Sequence, residues 1–131
     1  FLKDKYRNTK IIFLGGIFNK QKLDNIRYFS RLYLHGHSVG GTNPALLEAM
    51  AASTLILSHN NEFNKSVLEK NAFFFKNKSE LVSLLSDDKL FSYRKKFVNN
   101  NLNKIKQIYQ WDIVIDQYES YFQEILSSNS K

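Results

Sequence analysis

Apolar positions recur along this chain with two spacings, and the change from one to the other marks its elements. Four short runs, Lys10 to Leu14, Leu32 to Leu34, Thr54 to Ser58 and Ala72 to Phe75, are compact and apolar and predict strands. Between the first two, Leu23, Ile26 and Phe29 fall on one side of a helix predicted from about Asn19 to Ser30. A second helix is predicted from Pro44 to Ala52. From Ser79 to the end the spacing is helical: Val98, Leu102, Ile105 and Tyr109 form one stripe, and Val114, Tyr118, Tyr121, Phe122 and Ile125 form another. Trp111-Asp112 is expected to interrupt the two, with Asp112 as an N-cap, and Ser127 to Lys131 are expected to fray. Strands alternating with helices predict an α/β fold with a parallel sheet, whose ligands lie at the carboxyl ends of its strands. On that rule Gly15-Gly16 and the turn from Gly36 to Asn43 both follow strands and flank one crevice.

The chemistry concentrates in the run from His35 to Ala51, HGHSVGGTNPALLEAMA. Gly40 and Gly41 allow close backbone approach, Asn43 is a good N-cap, and Pro44 suits the first helical position. The first turn of such a helix offers unpaired N–H groups and the positive end of the helix dipole, which favour a phosphate. Glu48 lies about 6 Å further along the axis, where two acceptor oxygens suit a vicinal diol such as that of a ribose. Glycine followed by Asn-Pro also begins ordinary helices, so spacing alone leaves both readings open.

The segment from Tyr33 to Ser53 resembles the donor-site signature of retaining glycosyltransferases with the GT-B fold, in which two Rossmann-like domains face each other across a cleft. HGHSVGGTNPALLEAMA is similar to the version in a rhamnosyltransferase-like branch of bacterial surface-polysaccharide synthesis. Weaker likeness extends over IIFLGGI (11–17), NNEFNKSVLE (60–69) and WDIVIDQYESYF (111–122). The resemblance implies a Rossmann-like parallel sheet flanked by helices, the C-terminal half of a GT-B fold, with a helical C-terminal tail. Residues 1–131 would be a single, partial nucleotide-sugar-binding domain of a larger two-domain protein, inactive alone because the Arg and Lys that neutralise the diphosphate lie upstream.

The resemblance also implies the site. Gly41, Thr42 and Asn43 would hold the diphosphate of the donor, Glu48 its ribose, Gly16 and Ile17 the base, and Ser38, Gly40 and Lys65 complete the donor contacts. His37 would donate to the sugar or phosphate. His37, Gly41, Thr42 and Asn43 are thus the expected catalytic set, in a hexosyl transfer with retention at the anomeric carbon. One departure stands out: the family carries a Glu eight positions before the residue matching Glu48, and Gly40 stands there instead. The donor's sugar contacts in this chain therefore differ from the family pattern.

Composition narrows the classes. With 131 residues, 43% hydrophobic and 15% aromatic, the chain is expected to be one domain with a core. It has no cysteine, which excludes disulfides and thiolate metal sites. His35 and His37 alternate on a strand while His59 stands apart in sequence, so no metal is expected and no cofactor beyond the nucleotide diphosphate sugar substrate. The net charge of +7 gathers in residues 1–31, which hold eight Lys or Arg against Asp4 and Asp24, and again from Lys89 to Lys106. Such charge attracts polyanions, but the aromatics fall in core-like runs, so nucleic acid is not expected as a partner. The expected partners are the nucleotide-sugar donor and a glycan or lipid-linked acceptor held by the missing domain, in the cytoplasm, with a peripheral contact to the inner membrane face. A noncatalytic nucleotide-binding or interaction module is the alternative reading.

Overall fold

The computed structural model describes residues 1–128. In chain order the elements are α1 (Leu2–Lys5), α2 (Lys20–Phe29), β1 (Tyr33–His35), α3 (Pro44–Ala51), β2 (Ile56–His59), α4 (Glu62–Leu68), β3 (Phe73–Phe75), α5 (Lys78–Leu85), a 3-10 helix (Asp88–Tyr93), α6 (Arg94–Ile108) and α7 (Trp111–Ser128). The strands form one parallel sheet in the order β1-β2-β3, with Tyr33 opposite Ile56 and Leu57 opposite Phe73. This is the expected α/β architecture, with α3 and α4 as its crossovers and helices closing the chain.

Period-two alternation sorts side chains to the two faces of the sheet. Tyr33, Ile56 and Phe74 pack with Leu46, Met50, Val67 and Leu68 from α3 and α4. Their sequence neighbours Leu32, Leu55 and Phe73 pack on the other side with Leu84, Leu90 and Phe97. Because both faces are covered, Ile56, Leu57 and Ser58 of β2 are all buried, which is why Ile56 and Leu57 follow one another without a polar residue between. Burying a side chain such as Leu46 or Leu57 contributes about 1.5–3 kcal/mol each.

Four helices share one starting device. The side chains of Asn19, Asn43, Asn61 and Asn77 accept from the backbone N–H groups of Lys22, Ala45, Asn64 and Glu80. Each satisfies an N–H that the helix itself leaves unpaired. α4 is a helix that the apolar runs do not announce.

Two expectations are corrected. Lys10 to Leu14 is not a strand: it pairs with no neighbour among the described residues, and Ile12 and Leu14 are 80% and 60% exposed. Apolar, β-branched composition makes a segment capable of strand geometry, but only a ladder partner holds it there, and β1 is hydrogen-bonded to β2 alone. Asp112 is not an N-cap, because α7 already starts at Trp111 and Asp112 lies in its first turn. The fraying expected over 127–131 falls, from residue 129 on, outside the described residues.

Candidate functional site

β1 ends at His35 and the chain turns through residues 36–43 into α3, at the carboxyl edge of the sheet. Gly40 takes φ +101°, a conformation that costs an L side chain strain, with open space where a Cβ would stand. A Glu there would fit the space but not the backbone, so the departure at this position goes with the shape of the loop itself.

At the loop's end, the Asn43 side chain accepts from Ala45 N–H at 2.9 Å and Pro44 has no N–H to satisfy. The N–H groups of Gly41, Thr42 and Asn43 make no hydrogen bond within the described residues and are left to a ligand or solvent. Gly41 and Thr42 are exposed and Asn43 half-buried, as a surface anion site requires.

The far side of the loop is clamped. Asn61 Nδ2 and Asn64 Nδ2 both donate to the carbonyl of His37, at 2.9 and 3.0 Å, and Asn64 Nδ2 also donates to the carbonyl of His59 at 3.0 Å. Asn64 is buried, so one amide ties the loop, the end of β2 and the start of α4 together. His59 is therefore not remote from His35 and His37, as its sequence position suggests, but tied to the same edge.

The rings of His35 and His37 stack at 5.4 Å and 15°, and Tyr33 stacks on His35 from the other side. His35 is only 2% exposed and its Nε2 has no partner; burial first, and the neighbouring His37 second, push its pKa below the ordinary value. It is held neutral. The ring of His37 is exposed, as are Ser38 and Lys65. Lys65 lies on α4 beside Asn64 and makes no ion pair among the described residues. No group of three or more His, Asp or Glu side chains suited to a metal ion occurs among the described residues.

Glu48 lies one turn into α3 and its side chain is 47% exposed. Its Oε2 accepts from Arg27 Nη2 at 2.8 Å, and Arg27 is a buried guanidinium that also pairs with Asp24 through Nη1 at 3.4 Å. Lys20 closes the row on Asp24 at 2.6 Å. The field of the pair reaches Tyr33, whose hydroxyl is pushed up chiefly by burial, pulled back by Arg27 and pushed up again by Glu48. Arg27 went unread in the sequence, although it sits four residues after Leu23 on the inward side of α2. The apolar side expected of α2 is not its inward one: Ile26 and Phe29 are 37% and 80% exposed, Leu23 is half-buried, and Arg27 is the one buried residue of the helix.

Gly16 and Ile17 lie in the segment without regular secondary structure before α2, lining a cavity of about 220 Å³ with Leu14, Phe18, Asn19 and Lys22. None of residues 36–43 lines it, so the single crevice expected from two strand-end loops loses its first strand.

Among solved structures, the chain matches the 1.35 Å crystal structure of the C-terminal domain of a glycosyl transferase group 1 family protein, LpcC, from Francisella tularensis. The TM-score is 0.61, the identity 20%, and the match covers 84% of this chain. The fold is that of a glycosyltransferase C-terminal domain. The match covers 61% of the solved chain, so the likeness is to part of that domain. No family model and no curated protein matches the chain. No helix among the described residues is long and apolar enough to cross a membrane.

Proposed function

We propose that this chain is the distal part of the donor-binding domain of a retaining glycosyltransferase. The donor is a nucleotide diphosphate sugar, its diphosphate against the N–H groups of Gly41, Thr42 and Asn43 and its ribose diol on Glu48. One observation carries the reading: a helix N-terminus with three unpartnered N–H groups has, one turn deeper, a carboxylate held in place by a buried arginine. The likeness to a glycosyltransferase C-terminal domain supports the same reading from the fold.

In such a transfer the bond from the anomeric carbon to the diphosphate breaks and negative charge builds on the departing phosphate. Oriented N–H groups at Gly41 to Asn43 stabilise that charge more than they stabilise the bound donor, which is what lowers the barrier. His37, exposed at the mouth of the loop, donates to the sugar or phosphate, and Lys65 adds a point charge. Ser38 and Gly40 border the sugar. The acceptor, a glycan or lipid-linked sugar, is presented by another domain of the whole protein, at a cytoplasmic membrane face to which the basic residues 1–31 are suited.

The test is Glu48→Ala in the full-length enzyme, titrated calorimetrically with uridine, thymidine, guanosine and adenosine diphosphates and with inorganic pyrophosphate. Loss of two hydrogen bonds to a charged acceptor weakens the best nucleoside diphosphate at least about tenfold. Pyrophosphate, which has no ribose, keeps its affinity. Unchanged nucleoside diphosphate affinity overturns the assignment of Glu48.

A further inference from the structure

We propose that Arg27 is the positioning residue of the donor site: it touches no part of the nucleotide but fixes the Glu48 carboxylate so that its remaining acceptors meet the ribose diol. The inference rests on the reading of Glu48 as the ribose ligand and goes beyond it by naming what sets that ligand's geometry. Unrestrained, an exposed glutamate on a helix samples several rotamers, and ordering it on binding costs affinity. Here Oε2 is taken by Arg27 Nη2 at 2.8 Å, while Oε1 makes no hydrogen bond among the described residues. The carboxylate is thus anchored at one oxygen and open at the other.

Arg27 can serve as an anchor because it is itself fixed. It is 8% exposed, and its Nη1 is turned to Asp24, one turn back on α2, which in turn holds Lys20. A buried guanidinium cannot wander without losing both partners, whereas Glu48 and Asp24 keep 47% and 32% of their side-chain surface exposed. Both carboxylates border one cavity of about 230 Å³ with Lys20, Ala51 and Ala52. The ordering runs outward, from the buried cation to the exposed acceptor, as in sites whose ligating groups are held by a supporting shell.

A mere cross-tie between α2 and α3 would look similar in stability, so the experiment reads the ribose. Arg27→Gln, Arg27→Lys, Glu48→Ala and the double variant Arg27→Gln/Glu48→Ala of the full-length protein are titrated with the best-binding nucleoside diphosphate and with its 2′,3′-dideoxy analogue. Arg27→Gln is expected to weaken the ribonucleotide about tenfold, with the dideoxy analogue unchanged, and to add nothing once Glu48 is alanine. Arg27→Lys keeps the charge on a single nitrogen in place of the two-nitrogen fork and falls between wild type and Arg27→Gln; it carries the test alone if Arg27→Gln does not fold. Equal loss for both nucleotides makes Arg27 a cross-tie only and overturns the proposal, as does no loss for either. If Glu48→Ala itself leaves the ribonucleotide unaffected, the donor reading fails first, and this inference falls with it.

Discussion

His35 is the residue whose charge this fold tolerates least. It is buried, stacked between Tyr33 and His37, and its Nε2 has no partner, so protonating it places an unpaired cation in the interior. Its pKa is lowered in the folded chain, so the unfolded chain binds more protons between that lowered value and the ordinary one of about 6.5. The contribution to stability is complete above the ordinary value and is lost as pH falls toward the folded one. Urea unfolding followed from pH 8 to pH 5 is expected to show a falling midpoint, with part of the fall absent in His35→Gln; an identical profile in the variant contradicts this. At this scale the sequence showed Asn43 as a cap and Glu48 as a lone carboxylate, because both follow from local spacing. Arg27 as the partner of Glu48 depends on how α2 lies against α3, which no local spacing encodes.

At the scale of elements, the loop from residue 36 to 43 owes its shape to α4 as much as to its own glycines. Asn64 lies on the same buried stripe as Val67 and Leu68, a polar residue at an apolar position, and its amide bridges the carbonyls of His37 and His59. Asn64→Ala leaves two carbonyls without that donor and is expected to cost about 1–3 kcal/mol in denaturant unfolding. Amide exchange of residues 36–43 should quicken with it. Unaltered exchange in the variant means that the loop holds itself. The loop's glycines and the cap of α3 were legible in the sequence, and the clamp was not, because α4 gives too short an apolar pattern to announce itself. Lys10 to Leu14 fails in the opposite direction: its composition is that of a strand, but a strand is a property of a pair, and no partner stands beside it among the described residues.

At the scale of the molecule, the described residues form a three-stranded sheet covered on both faces, with apolar surface left over. Ile11, Ile12 and Leu14 are exposed before α2, and Tyr118, Tyr121 and Phe122 are exposed on α7, which has no buried residue. A sequence shows that such segments are apolar but not what they face. The further domain proposed above would cover such surfaces without altering the sheet that positions the loop. The α/β class itself was legible in the alternation of apolar runs and helical stripes, although the first run is no strand and α4 was not among the predicted helices. In the proposed function α3 presents its N-terminus to a diphosphate and Glu48 to the ribose behind it. A crystal structure of the full-length protein with its best-binding nucleoside diphosphate tests this most directly. Phosphate oxygens within hydrogen-bonding distance of the N–H groups of Gly41 to Asn43, and a ribose hydroxyl on Glu48, are the predicted result. A nucleotide bound away from α3, or one whose ribose leaves Glu48 untouched, would contradict it.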